Sequence, residues 1–290
     1  MSTNSATPDG DGHLAPQLRA IAPFAASSVY QTLTAELNQG RCRTIMSSGQ
    51  ACVLHRIAFV SKDGDWLLRE DQESIRHVIA VLTRHGARYR LGAPLDARWL
   101  AAGWSTHAEY QEGGLRVRTD FVTRPPRIAS ARLAELWVEA ETSVPYLLPI
   151  PDLIALKRTL RDRDYPIIGA LAQRLDDPAS QLLFSQSIDT LAHLVGTQVA
   201  LARSLADQRP LLQTAIDHPE RIRLQLNEER FEHQERDRRR MRAFAEAIQP
   251  WAQAWQALAP TISHLPLDQA HEIVVRAAEP LLPQSVVVPP

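Results

Sequence analysis

Hydrophobic residues follow two different spacings along this chain. Between residues 42 and 122, short apolar runs alternate with helical patterns, whereas every apolar pattern after residue 129 has helical spacing. The clearest strand signal is at 115–122, where apolar and polar residues alternate and the turn Glu112-Gly113-Gly114 connects back to a second alternating run at 106–111. These patterns predict an α/β protein of the α+β type, with a small mixed sheet, flanking helices and a helical C-terminal region.

The same pattern places the remaining elements. Apolar runs and turn residues predict strands at 42–46 and 65–68, and the Pro125-Pro126 pair ends the sheet. Ile75, Val78, Ile79 and Leu82 recur at helical spacing, and His85-Gly86 ends that helix. The predicted helices before the C-terminal region cover 28–38, 50–56, 73–84, 129–141, a segment beginning at 150, and 165–175.

Three regions differ in composition. Residues 1–28 are rich in Ser, Pro, Gly and Ala and predict a flexible N-terminal leader. Residues 29–175 contain every predicted strand and form the first predicted domain. The turn at Asp176-Asp177-Pro178 is the predicted boundary with a helical region at 176–290.

Composition and charge exclude several classes of protein. The net charge of −1 gives no overall attraction to nucleic acids or anionic membranes, so such binding would need a local patch. Two cysteines, Cys42 and Cys52, are too few for a disulfide framework. The N-terminal segment lacks the pattern of a secretory signal, and no run approaches the roughly 20 apolar residues of a membrane span. We therefore expect a cytoplasmic protein without a membrane partner.

Three aspartates are the candidate metal ligands. Asp63 and Asp65 are two residues apart at the start of a predicted strand, so their side chains share a face. Asp120 lies within the later strand, on the same side as Arg116 and Arg118. Carboxylates grouped in this way are suited to holding Mg²⁺ against a nucleoside triphosphate. The alternative interpretation of Asp63 and Asp65 is an ordinary Asp-Gly surface turn.

A small-residue turn precedes the paired acids. Ser48 and Gly49 lie between the first predicted strand and the helix that begins at Gln50. Backbone amides at such a turn, together with the helix behind them, are suited to binding phosphate. Ser48, Gly49 and Gln50 are therefore candidate nucleotide-binding residues.

In order, these segments resemble the DNA polymerase β-like nucleotidyltransferase superfamily, in its minimal bacterial branch that includes abortive-infection-type toxins. The resemblance covers roughly residues 41–174. It consists of the Ser48-Gly49 turn, a spacer of about a dozen residues, the Asp63-Gly64-Asp65 pair, and Asp120 on a later strand. The segment 151–164 resembles the helix that closes the site in this family, and by that position Lys157 is a candidate counter-charge for the triphosphate.

The resemblance implies a metal-dependent transfer of a nucleoside monophosphate from NTP to a hydroxyl acceptor. It implies Mg²⁺ or Mn²⁺ as cofactor, held by Asp63, Asp65 and Asp120, with RNA (including tRNA) as a possible acceptor and an antitoxin-like protein as a possible partner. Two alternatives remain: a small-molecule adenylyltransferase of the antibiotic-modifying kind, and a catalytically degenerate protein that binds a nucleotide or a partner.

Two positions depart from the pattern of this family. Ser48 replaces the first glycine of the turn, which restricts the approach of a phosphate. Gly64 stands between the paired acids, where the family usually has an apolar residue that anchors the strand. Either change is expected to affect activity.

Lysine is scarce, since Lys62 and Lys157 are the only two lysines among 32 basic residues. Codon bias is one interpretation; the other is that a surviving lysine marks a position that requires a compact charge. Lys62 is expected on the strand face opposite to the acids. For Lys157, a salt bridge to Asp162 or Asp164 is the alternative to contact with phosphate.

Two further segments have open interpretations. His107 is expected next to the strand of Asp120, either as a structural histidine or as a contact to the acceptor. The mixed-charge helix at 228–242 predicts a solvated face with i,i+4 ion pairs. Its arginine-rich end at 238–242 is a weaker candidate for contact with RNA phosphate.

Overall fold

The structure, a computed structural model, describes residues 29–58, 61–142 and 147–289. The predicted leader at 1–28 lies outside the described residues. The predicted fold class is confirmed, because a five-stranded mixed sheet with flanking helices is followed by a helical C-terminal region. The predicted division at residue 176 stays a prediction.

The sheet has the strand order β1-β2-β5-β4-β3. The parallel pair, β2 with β5, lies at the centre of this order, and the other neighbouring strands are antiparallel. The strands are β1 (Thr44–Ser47), β2 (Asp63–Leu68), β3 (Arg88–Tyr89), β4 (Thr106–Glu112) and β5 (Leu115–Val122).

Helices flank the sheet and make up the remainder of the fold. Those of the first part of the chain are α1 (29–37), α2 (Ser48–Leu54), α3 (Gln72–Arg84), α4 (Ala97–Leu100), α5 (Ser130–Ala140), α6 (Ile150–Lys157) and α7 (Asp164–Ala172). They are followed by α8 (Pro178–Phe184), α9 (Ile188–Thr197), α10 (Val199–Ser204), α11 (Leu211–Asp217), α12 (Ile222–Ala247), α13 (Gln249–Ile262) and α14 (Leu267–Ala278).

A two-residue turn fixes the register of the β4–β5 hairpin. Gly113 and Gly114 both have positive φ angles, of 55° and 81°, which glycine adopts without steric cost and which match the twist of the strands. Glu112 therefore pairs with Leu115, and the ladder continues until His107 lies opposite Asp120. The turn thus decides which residue of β4 faces the third candidate acid.

Alternate residues of β2 and β5 point to opposite faces of the sheet, and each face covers its own hydrophobic core. One face carries Trp66 and Phe121, whose rings stack at 5.3 Å beneath α1 and α3. Trp66 is fully buried, and its indole N–H donates to Thr34 at 3.0 Å. Truncating such a residue to Ala typically costs roughly 3 to 5 kcal/mol. This core anchors the central strands from one side.

The opposite face packs Leu67 against α2, α5, α6 and α7 in a second core. Asp63 and Asp65 share the strand parity of Leu67, and Asp120 lies on the same side of β5. We call this side of the sheet the acid face. The three candidate acids are therefore presented to the helices that follow the sheet.

The last helices return to the outer strands. A third core joins α13 and α14 to α4 and contains four tryptophans. Trp251 donates to the Gly92 carbonyl at 2.8 Å, and Trp99 donates to the Leu282 carbonyl at 2.8 Å. Leu267 packs into the core beneath α3. Helices late in the chain therefore cover the edge of the sheet near β3.

Candidate functional site

The register of the central strands brings two of the candidate acids together. Asp65 of β2 is the pairing partner of Asp120 of β5, and Asp63 pairs with Arg118. Because β2 and β5 are parallel neighbours, Asp65 and Asp120 point to the same face across one strand spacing. All three predicted carboxylates therefore lie in one region of the acid face.

Asp65 is at the centre of this group and is half-buried. Burial is the main reason that the pKa of Asp65 rises from its ordinary value of 3.8 to about 7, and the nearby Asp120 and Asp63 carboxylates raise it further. The Ser48 hydroxyl, which hydrogen-bonds to Asp65, and the Lys157 ammonium act in the opposite direction. Burial and the two neighbouring carboxylates therefore disfavour the ionised form of Asp65 more than Ser48 and Lys157 favour it.

Arginine and histidine side chains hold the two outer carboxylates. Arg118 approaches Asp63 at 3.4 Å, between Nη1 and Oδ1. His107 Nδ1 lies 2.6 Å from Oδ1 of Asp120, and Arg90 approaches the same oxygen at 3.5 Å. Asp120 thus has a fixed orientation at the acid face.

The metal-binding geometry of the site is incomplete as it stands. Within residues 29–58, 61–142 and 147–289, no three His, Cys, Asp or Glu side chains converge closely enough to hold a metal ion. The donor chemistry nevertheless fits a hard divalent cation, because three carboxylates crowd one another and the most buried one resists ionisation. In the structure Asp63 instead contacts Arg118, and Asp120 contacts His107.

The predicted phosphate-binding turn contacts the acids directly. Ser48 has a φ of 51°, a conformation that glycine adopts more readily, and its side chain hydrogen-bonds to Asp65. Serine in place of glycine at this position therefore has less backbone freedom, but its hydroxyl makes a polar contact with Asp65. Ser48 is the first residue of α2, so this helix of seven residues begins two residues before the predicted start at Gln50.

Gly49 and Gln50 attach this turn to the segment before β2. A Cβ atom at Gly49 would lie 2.2 Å from Oγ of Ser61, so only glycine fits there without a rearrangement. The Gln50 amide donates to the Ser61 carbonyl at 3.0 Å. Gln50 is buried, so its side chain stabilises the contact between the turn and Ser61 and is not accessible to a nucleotide.

Gly64 also has a packing explanation. A Cβ atom at this position would lie 2.3 Å from the Trp66 ring and 2.6 Å from the Tyr30 ring. The Tyr30 hydroxyl donates to the Lys62 carbonyl and accepts from the Arg118 amide, at 2.9 and 3.3 Å. Tyr30 therefore covers Gly64 and joins the start of β2 to β5, a role that the sequence did not reveal.

The two lysines have different environments. Lys62 is exposed, immediately before β2. Lys157 is buried at the end of α6, and its Nζ lies 3.5 Å from Oδ1 of Asp164. Its charge also acts on Asp65 and on the Cys52 thiol, whose pKa is raised to about 11 chiefly by burial. Lys157 thus combines the predicted salt bridge with a position close to the acid face.

His107, which the sequence analysis placed next to the strand of Asp120, extends the site to Ser105, which the sequence did not single out. Its Nε2 atom lies 3.0 Å from the Ser105 hydroxyl, while its Nδ1 atom contacts Asp120. Gly92 backs the ring, since a Cβ there would lie 2.6 Å from it. The available signal was the Gly113-Gly114 turn, because a two-residue hairpin pairs position 120 with position 107.

Comparison with protein-family models, with curated proteins and with solved structures found no match in any of the three. None of the helices in the described part of the chain is long and apolar enough to cross a bilayer.

Proposed function

We propose that the protein is a metal-dependent nucleotidyltransferase that moves a nucleoside monophosphate from NTP to a hydroxyl acceptor. One observation supports this proposal above the others: Asp65 and Asp120 are register partners on adjacent parallel strands, with Asp63 on the same face. The Ser48 turn lies against Asp65, so candidate ligands for metal and for phosphate are neighbours.

Each residue has a distinct part in this reaction. Asp63 and Asp65 would hold the divalent cation, and Lys157 would balance negative charge from the α6 side. A bound Mg²⁺ or Mn²⁺ ion supplies charge neutralisation for the triphosphate. Asp120, oriented by His107, would accept the proton of the attacking hydroxyl.

Transfer of a labelled nucleotide tests this proposal. Purified protein incubated with α-labelled NTP and Mg²⁺ or Mn²⁺ should label an RNA or small-molecule acceptor. Asp63→Asn, Asp65→Asn and Asp120→Asn should each lower the rate by at least about a hundredfold. The exposed Asp176 provides a matched control, and Asp176→Asn should retain activity.

Calorimetry provides the second arm. NTP should bind tightly with the divalent ion and at least about tenfold more weakly in excess chelator. Equal affinity in chelator, or full activity of Asp65→Asn, would refute the proposed metal site. Labelling of RNA favours the toxin-like activity, whereas labelling of a small hydroxyl compound favours the antibiotic-modifying alternative. Metal-dependent NTP binding without transfer to either acceptor identifies the degenerate alternative.

A second candidate function rests on the hydrogen-bonded series Ser105, His107 and Asp120. With contacts of 3.0 and 2.6 Å, this series has the arrangement in which a histidine activates a serine nucleophile. Acyl transfer, however, leaves Asp63 and Asp65 without a role, so we rank it second. Ser105→Ala should leave nucleotidyl transfer within about threefold of the wild type; loss of hydrolysis of an activated ester in this variant would favour the acyl-transfer function.

A further inference from the structure

A large cavity lies beside α12, away from the candidate acids. Its volume is about 710 Å³, within the usual range for small-molecule sites. The wall combines α12 with Ala155 and Arg158 at the end of α6, and with Arg127 from the segment after β5. The same α6 helix carries Lys157, so the cavity and the acid face share one structural element.

The charge of the wall is strongly one-sided. Among the residues that the structure describes, five arginines and a single carboxylate line the cavity: Arg127, Arg158, Arg236, Arg239, Arg240 and Asp237. The carboxylate is already engaged, because Asp237 is buried and accepts from Arg127 at 2.6 Å and from the Leu160 amide at 2.9 Å. The net charge of the wall therefore favours an anion, although the whole chain carries only −1.

Arg158 carries a hydrogen-bond donor that no described residue satisfies. Its Nε atom is buried and has no hydrogen-bond partner among the described residues. The ring of Phe184 lies 5.8 Å from its guanidinium carbon, and burial lowers the pKa of the guanidinium from its ordinary value. A buried hydrogen-bond donor without a partner destabilises the folded protein. A ligand that offers an acceptor to the Nε atom of Arg158 would remove this cost.

Arg158, His233 and Arg236 also line a second cavity of about 530 Å³. Burial, together with the charge of Arg158, lowers the pKa of His233 to about 4, so its imidazole is neutral near pH 7. A neutral imidazole adds a hydrogen-bond donor without adding charge. The two cavities therefore meet at two arginines and a histidine.

We propose that the Arg158 cavity is a phosphate-binding site, separate from the acid face, that takes the phosphate groups of a nucleotide or of an RNA strand. Guanidinium groups bind phosphate oxygens in pairs and remain charged at every physiological pH. A single carboxylate ligand would neutralise only a small part of the excess charge, whereas a polyphosphate or a phosphodiester chain matches it. The proposal does not depend on metal-dependent transfer.

Binding measured in excess chelator tests the site by itself, since the acid face then has no cation with which to retain a triphosphate. The probes are inorganic pyrophosphate, ATP and an eight-nucleotide single-stranded RNA, titrated by calorimetry at low and high salt. We expect at least one probe to bind, with an affinity that falls as salt rises. The tightest probe identifies the source of the phosphate.

Three variants separate the cavity from the general charge of α12. Arg158→Gln should weaken binding at least tenfold, and Arg236→Gln, which alters an exposed lining residue, should weaken it about threefold or more. Arg238 is exposed on the same helix but does not line either cavity, so Arg238→Gln should stay within twofold of the wild type.

The outcomes are decisive in both directions. Selective loss at Arg158 and Arg236 supports the site. Absence of binding by all three probes, or equal losses at Arg236 and Arg238, overturns it. Arg236→Gln keeps the test valid even if Arg158→Gln fails to fold. The side chain of Arg236 is exposed, and its only ion pair within the described part of the chain, with Glu232, spans 3.8 Å.

Discussion

Replacing Asp65 with Asn should stabilise the protein at neutral and alkaline pH. An aspartate with a raised pKa opposes folding once the pH exceeds that value, because the folded protein must then carry a buried, crowded carboxylate. Asn keeps the shape and an oxygen for the Ser48 hydroxyl but carries no charge. The variant should therefore fold without the electrostatic cost that the wild type incurs.

The size of the effect follows from the two protonation states. Below about pH 3.8 both the folded and the unfolded wild type bind the proton; between that value and about pH 7 only the folded state does. The free energy of unfolding of the wild type therefore falls as the pH rises through this window. A change of about three pKa units, at about 1.4 kcal/mol each, gives a total of about 4 kcal/mol. Above pH 7 the loss is complete.

Urea unfolding between pH 4.5 and 8.5 measures this difference. We expect Asp65→Asn to exceed the wild type by at least about 2 kcal/mol at pH 8, and by no more than about 1 kcal/mol near pH 4.5, where most of the loss has not yet occurred. The exposed control Asp176→Asn should follow the wild-type curve at every pH. Parallel curves for Asp65→Asn and wild type would refute the conclusion that crowding and burial hold this carboxyl protonated. Adding Mg²⁺ at pH 8 should raise the stability of the wild type and not that of Asp65→Asn.

Two further predictions concern packing and charge at the same site. Gly64→Ala should lower the free energy of unfolding by about 1 to 3 kcal/mol, because its Cβ would overlap the Trp66 ring. The control Gly169→Ala, inside α7 with open space around it, should raise the free energy of unfolding by about 0.5 to 1 kcal/mol. Equal effects of the two changes in urea unfolding would contradict the proposed contact. Lys157→Arg should weaken NTP binding in calorimetry at least tenfold, since a wider guanidinium cannot occupy the same buried position, and Lys62→Arg, at an exposed position, should change it less than twofold. A tenfold loss at Lys62 would remove the special role of Lys157.

Local patterns predicted most of the strands and helices. The hairpin agrees because its turn requires two glycines and its second strand alternates without interruption. The strand β3, with two residues, is too short to have a period and forms only by pairing with β4. Likewise α4, a single turn, depends on the Asp96 cap and on burial of Trp99 and Leu100. Such short elements are defined by tertiary contacts rather than by propensity.

The candidate site also has a part that the sequence predicted and a part that depends on tertiary contacts. Spacing alone predicted that Asp63 and Asp65 share a face, and the structure places Asp120 beside them. Which cation holds each acid was not predictable, because Arg90 and Arg118 reach the site through register and side-chain packing. The Arg158 cavity joins segments more than 70 residues apart, which no local pattern reports.

The indole contacts of the last helices have a consequence for the order of folding. Trp251 binds the Gly92 carbonyl across 159 positions, and Trp99 binds the Leu282 carbonyl across 183 positions. Contacts so distant in sequence close late, because a long loop must first be ordered. During synthesis on the ribosome, β3 and β4 therefore wait for α13 and α14 to emerge before their outer side is covered. The strand β4, which begins directly after Ser105 and carries His107, is therefore the part of the sheet most exposed to misassembly in the nascent chain.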